Sequence, residues 1–242
     1  MPTPSADAHG SPRGASGRLW VVATPLGNLG DITERAKAEL AACDVVACED
    51  TRVTGGLLRH LGLNKPMLAY HEHNEKEFAS ELADRIERGA VVALITDAGT
   101  PGISDPGFRL TRECRRRKLT VTPLPGPCAI VALLSASGLP TNAFRFVGFL
   151  APKSAARRRF LEAAVAADET IVLHESCHRI GDFVDEMLEV LGPDRVVCVG
   201  RELTKLHETI RTAPLGELVP ALKAGSLKGE FTVAIAPAGF VL

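Results

Sequence analysis

The feature that most constrains this chain is a rhythm. From Leu19 onward, short β-branched runs alternate with polar loops and stretches of helical spacing. Leu19 to Ala23 reads as a strand, Thr24 to Asp31 (TPLGNLGD) as a loop, and Ile32 to Ala42 as a helix. Val45 to Cys48 is the next strand, followed by Glu49, Asp50, Thr51 and Arg52 and a helix to Leu61 that Gly62 closes. Met67 to Tyr70 runs into His71, Glu72, His73 and Asn74, where Asn74 with Glu77 has the spacing of a capping box. Gly89 stops that helix, Val91 to Ile95 is a fourth strand, and Thr120 to Leu124 a fifth. Strands that alternate with helices predict a parallel sheet covered on both faces. In such a sheet the clusters TPLGN, EDTR, HEHN and DAGTP share the carboxyl edge, where ligands bind.

The richest cluster is Asp97 to Gly107, DAGTPGISDPG, between the fourth strand and a helix over Phe108 to Arg117. Glycines let a backbone approach a ligand closely, and prolines fix the loop before anything binds. The expectation is that Asp97 and the amides after it hold a small cofactor; the plainer alternative is a stiff connector in which Asp97 caps the next helix. The loop is not GxGxxG, and no GxxxxGK[ST] occurs, which argues against a Walker-type ATPase.

The second half restarts after SGLPTN (Ser137 to Asn142), itself preceded by a helix from Cys128. Its strands read as Phe144 to Phe149, Thr170 to Leu173, Arg195 to Val199 and Phe231 to Ile235, with a helix from near Ser154 and hairpins around Leu206 to Thr212. The expected fold class is therefore α/β, with a mostly parallel N-terminal domain over 18–125, a mixed-sheet C-terminal domain over 126–242, and a cleft between them for the cofactor. Residues 1–17, rich in Pro, Ser, Gly and Ala, read as a disordered extension. The composition, 45% apolar and 24% charged, belongs to a globular chain, and six cysteines without a CxxC pair read as reduced thiols of a cytoplasmic protein. No apolar run approaches the roughly 20 residues that span a bilayer, so no membrane partner is expected.

A net charge of −1 gives no overall pull on nucleic acid, so cationic runs must supply any such binding. Two stand out, Arg115 to Lys118 and Lys153 with Arg157 to Arg159, although the commonest meaning of a charge run is a solvated helix face. His174, Glu175 and His178 spell HExxH, but the motif needs the middle of a helix and here follows a strand. A strand-end loop is the better reading, and no metal is expected. His71 and His73 alternate along an extended chain and so point opposite ways. Glu49, Asp50 and Arg52 read either as a local ion pair with a helix cap or as substrate-handling groups beside Asp97.

Several segments together resemble one family: TPLGNLGD, CEDTR (Cys48 to Arg52), HEHNE (His71 to Glu75), SDPG, SGLPT, GFL (Gly148 to Leu150), HESxHR and RELTKLHE (Arg201 to Glu208). They are similar to the tetrapyrrole methylase superfamily, in the branch that modifies small-subunit ribosomal RNA. The resemblance implies a homodimer of two-domain subunits that uses S-adenosylmethionine (SAM) to methylate the 2′-oxygen of a cytidine ribose in 16S rRNA of the small ribosomal subunit. The implied cofactor contacts are Pro25, Leu26 and Gly27; Asp97, Ala98, Gly99, Thr100 and Ile103; Cys128 and Ala129; Glu175 and Ser176; and Leu203, Gly229 and Glu230. Candidate catalytic groups are Glu49, Asp50, Arg52, His71 and Lys205, and candidate RNA contacts are Arg52, Lys153, Arg157 and Arg158. Cys128 stands where the family usually has serine and Cys177 where it has proline. A tetrapyrrole substrate, or ribosome binding without catalysis, is the alternative function.

Overall fold

The computed structural model describes residues 17–242, so the extension expected over 1–17 lies, apart from Gly17, outside the described residues. Their contacts form two units, one of the chain up to Thr24 with Asp31–Gly126, the other of Pro25–Gly30 with Pro127–Leu242.

The first unit contains β1 (Arg18–Val22), α1 (Glu34–Ala42), β2 (Val45–Cys48), α2 (Thr51–His60), β3 (Met67–Ala69), α3 (Glu75–Glu87), β4 (Val91–Ile95), α4 (Phe108–Arg116) and β5 (Thr120–Leu124). Its sheet has the order β3-β2-β4-β1-β5, and every pairing is parallel. Alternate side chains of β4 serve two cores, as the pleat requires. Val92 and Leu94 pack with Leu82, Ile86 and Leu110 from α3 and α4, whereas Ala93 and Ile95 pack with Leu40 and Leu58 from α1 and α2. Each buried aliphatic side chain contributes about 1.5–3 kcal/mol, so this doubly covered strand is a rigid base for the loop it feeds.

Two local expectations fail at the ends of these elements. Asn74 and Glu77 form no capping box: Asn74 makes no side-chain cap bond to α3. Its Oδ1 accepts from the His71 amide at 2.8 Å and its Nδ2 donates to the Ala69 carbonyl at 2.9 Å, because a short amide side chain readily bonds its own turn. The same turn, in place of an extended segment, brings the His71 and His73 rings edge to face with centroids 5.9 Å apart.

The second unit contains α5 (Ala129–Ser137), β6 (Phe144–Phe149), α6 (Ser154–Ala164), β7 (Thr170–Ser176), α7 (Ile180–Leu191), β8 (Val196–Arg201), β9 (Thr209–Pro214), α8 (Leu215–Lys223) and β10 (Glu230–Ile235). The order is β6-β7-β10-β8-β9, with β6 parallel to β7 and the other pairs antiparallel, which makes the sheet mixed. Ile130, Leu133 and Leu134 of α5 cover one face, and α6, α7 and α8 cover the other. β7 runs three residues beyond the apolar stretch: His174, Glu175 and Ser176 pair with Thr232, Phe231 and Glu230. The HExxH residues therefore begin inside a strand rather than in a strand-end loop, and the i, i+4 helical geometry that would aim both histidines at a metal does not form.

Candidate functional site

In the first unit the parallel strands deliver their last residues to one edge, and three carboxylates meet there. The Asp97 Oδ1 accepts from the Asp50 amide at 3.1 Å, and the Asp97 amide faces the Glu49 Oε2 at 3.5 Å. These contacts join the ends of β2 and β4. Burial, and then the charge of Asp97, push the Glu49 carboxyl above its ordinary pKa. Burial likewise raises Asp97, although the Asp50 amide works against the shift. Asp50 behaves oppositely: hydrogen bonds from the Arg52 side chain and amide hold it down at about 2. It caps α2 through the Arg52 amide, and its carboxylate takes the Arg52 guanidinium in a fork with Nη2 at 2.6 Å. The local ion pair and the helix cap are thus both present. His71 lies on the same edge, with a buried Nδ1 that no protein atom satisfies.

The Asp97–Gly107 loop is held at its start by a two-residue bridge. The Thr24 amide donates to Gly99 at 2.9 Å, the Gly99 amide returns a bond at 3.0 Å, and the Thr24 hydroxyl donates to the Thr96 carbonyl. Asp97 does not cap α4, because the capping position is Gly107. A side chain at Gly107 would be refused: φ is +140°, and a Cβ would stand 3.0 Å from the Leu94 Cδ2 and 3.1 Å from the Gly102 amide nitrogen.

In the second unit, the Pro25–Gly30 segment lies under the RELTKLHE turn, and a Cβ on Gly27 would fall 2.3 Å from the Lys205 Cγ. The Lys205 Nζ bridges Glu202 at 3.0 Å and Glu230 at 2.9 Å. Burial opposes its charge, yet the two carboxylates keep this ammonium above its ordinary pKa. Glu202 and Thr204 carry positive φ of 51° and 67°, a strained backbone of the kind found at functional turns. Glu175 is buried, its Oε1 held by the Ser176 amide at 2.7 Å and by Arg179, while its Oε2 has no partner. On the opposite face of β7, burial depresses His174, whose Nδ1 meets the Thr232 hydroxyl at 3.1 Å.

A family model for tetrapyrrole (corrin/porphyrin) methylases matches residues 18–219. The chain is 46% identical, across 94% of its length and 80% of the relative's, to ribosomal RNA small subunit methyltransferase I of Escherichia coli. A protein of the same name from Vibrio cholerae is 50% identical over 83% of this chain and 70% of its own. The chain belongs to this branch of the tetrapyrrole methylases. Two solved structures show the same fold: the methyltransferase CobJ has a TM-score of 0.66 at 19% identity, covering 94% of this chain and 97% of its own. Uroporphyrin-III-C-methyltransferase of Thermus thermophilus has 0.61 at 21%, covering 91% and 94%.

Among family members, the residues expected at the site fall into distinct settings here. Glu49, Asp50, Arg52, His71 and Asp97 to Thr100 gather on the carboxyl edge of the first sheet, with Arg52 exposed. Pro25 to Gly27, Lys205, Gly229 and Glu230 gather in the second unit beside Glu202, which was not among the expected residues and onto which Gly229 would press a Cβ. Cys128 is the N-cap of α5 but makes no side-chain cap bond. The cationic runs prove heterogeneous. Arg157 is buried, its guanidinium closed by Glu186 and the Pro152 carbonyl, so it is removed from the expected RNA surface. Arg117 is a strut from α4 to Asp84 and Ser80 of α3. Lys153 and Arg159 are exposed, and Arg158 is half-exposed beside Glu189. Sequence reasoning does not single out Thr24 or Arg179 as site-building groups, although they lie in the TPLGNLGD and HESxHR segments, and it misses Glu202 as well. The one signal for Glu202 is its place in the RELTKLHE segment.

Proposed function

We propose that this chain transfers the methyl group of SAM to the 2′-oxygen of a cytidine ribose in 16S rRNA of the small ribosomal subunit. The observation that carries the reading is near-half identity, over most of the chain, to relatives named for that ribosomal RNA. The residues on the first sheet's edge fit the cofactor chemically. SAM carries a sulfonium and an ammonium, and Glu49 and Asp97 are carboxylates whose raised pKa values mark negative charge that the protein leaves under-compensated. The remaining cofactor residues inferred from the family, in the second unit, are proposals of the same kind.

When bound, SAM supplies an electrophilic methyl group, and the chain's task is alignment, exclusion of water and a place for the hydroxyl proton. We assign the proton to Glu49, whose raised pKa makes it a better base than an ordinary carboxylate, with His71 beside it. Asp50, fixed in its ionised form, orients Arg52 toward an RNA phosphate. Lys205 stays protonated between its carboxylates and braces the Gly27 backbone, so it orients the loop and takes no proton. Exposed Lys153 and half-exposed Arg158 follow the RNA backbone. A homodimer acting in the cytoplasm completes the proposal, and among the described residues no helix is long and apolar enough to cross a membrane.

The test is incubation of the protein with methyl-labelled SAM and small subunits from cells that lack the modification. Label in the rRNA is expected. Tight SAM uptake with no label, or preferential transfer to a porphyrinoid, would overturn the reading.

A further inference from the structure

The first turn of α4 presents amide donors that no residue of the helix can satisfy, and its capping position is a glycine with no side chain to offer. The acceptors come from elsewhere in the chain. The Leu110 amide donates to the Tyr70 hydroxyl at 3.1 Å, and the Gly107 amide faces the Glu75 Oε2 at 3.5 Å. The Glu75 Oε1 also accepts from the Arg109 Nε at 3.0 Å. Tyr70 is fully buried and packs in the cluster of Leu82, Leu94 and Leu110. A Tyr–Glu pair at the β3–α3 junction thus replaces the missing cap of α4. A carboxylate at a helix N-terminus also meets the positive end of the helix dipole.

The position of this cap matters because α4 begins where the Asp97–Gly107 loop ends. The loop's far end is closed by the Gly102 amide on the Pro106 carbonyl at 3.1 Å, and its near end is fixed at Gly99 by Thr24. We propose that Tyr70 and Glu75 are positioning residues that hold the Asp97–Gly107 loop in its cofactor-binding conformation by capping α4 from outside. The inference rests on the proposed function in one respect, that the loop receives SAM. Neither side chain needs to touch the cofactor. Removing either frees the far end of the loop, and the binding-competent fraction falls; a fall to one-tenth weakens apparent affinity about tenfold.

The experiment compares Tyr70→Phe, Glu75→Ala and Glu75→Gln with wild type and with Lys76→Ala, a surface change one residue away. Hydrogen exchange is measured in the cofactor-free proteins, and SAM affinity by calorimetry. Expected are faster exchange at the Gly102 to Leu110 amides and about tenfold weaker SAM binding in Tyr70→Phe and Glu75→Ala. Glu75→Gln, which keeps an acceptor oxygen, should recover part of both effects, and Lys76→Ala should match wild type. KM for SAM should rise while kcat at saturating SAM holds, a split that general loss of structure would not give. Wild-type binding with unchanged affinity in Tyr70→Phe and Glu75→Ala overturns the inference alone. Failure of the wild-type chain to bind SAM overturns the proposed function and the cofactor part of the inference together, while the exchange data still decide whether the external cap orders the loop.

Discussion

Replacing Arg157 by alanine separates structure from RNA binding most sharply. The Arg157 and Glu186 side chains are 5% and 6% exposed and form a two-pronged pair, with Nε–Oε2 at 2.8 Å and Nη2–Oε1 at 2.7 Å. The Ser154 hydroxyl adds a bond to the Glu186 Oε1 at 2.6 Å. Burial works to raise Glu186, but the bonds from Arg157 and Ser154 outweigh it and leave the carboxyl below its ordinary pKa. Arg157→Ala strands this carboxylate in the interior with one hydroxyl for company. Breaking a buried pair from one side costs about 3–5 kcal/mol. For a protein of this size each kcal/mol moves the melting temperature by about 2–4 °C, so the variant should melt about 6–20 °C lower. Because the folded pKa of Glu186 is depressed, the pair's contribution is complete above the unfolded carboxylate range and fades as pH falls through the folded value. An Arg157→Met/Glu186→Leu double variant should recover most of the loss, since apolar replacement of a buried pair is often neutral. Arg158→Ala, at a half-exposed pair that water screens, should leave the melting temperature near wild type and instead weaken rRNA binding and its salt dependence. Scanning calorimetry and filter binding read the two effects. Wild-type melting of Arg157→Ala combined with weakened rRNA binding would refute the reasoning.

Glu49→Gln should raise stability at neutral pH: a carboxyl whose folded pKa is raised penalises the folded state above its unfolded pKa of about 4, and the gain should vanish below it. The same variant should flatten the pH dependence of SAM affinity, which in wild type weakens on acidification as Glu49 takes up a proton; calorimetry across pH checks both. Cys128→Ser should supply the missing cap bond of α5, since Cys128 already has the extended backbone of a capping residue, φ −149° and ψ 115°. A gain of about 1 kcal/mol, seen as melting about 2–4 °C higher, is expected.

What the sequence revealed, and what it concealed, follow from the range of the forces involved. Val45–Cys48 and Val91–Ile95 were legible residue for residue, because short apolar, β-branched runs bounded by turn formers report their own burial. The edge clusters EDTR, HEHN and DAGTP were legible as neighbours because parallel strands leave them little choice. Most of the failures depend on partners distant in sequence, and one on competition within a single turn. Arg157 looks like a surface cation until Glu186, 29 residues on, closes over it. Asn74 and Glu77 have the spacing of a capping box, yet backbone groups at Ala69 and His71 compete successfully for the amide. HExxH looks like a strand-end loop until β10 extends β7 through Ser176. Tyr70 and Glu75 cap a helix that begins more than thirty residues later, and no local pattern encodes that.

The central claim is that the carboxylate edge around Asp97 serves methyl transfer to an rRNA ribose. Its most direct test is nucleoside analysis of 16S rRNA from unmodified small subunits after reaction with SAM and either wild type or Asp97→Asn. The account predicts 2′-O-methylcytidine with wild type and a large loss of it with Asp97→Asn. Absence of that nucleoside with wild type, or equal yields from the two proteins, would contradict it.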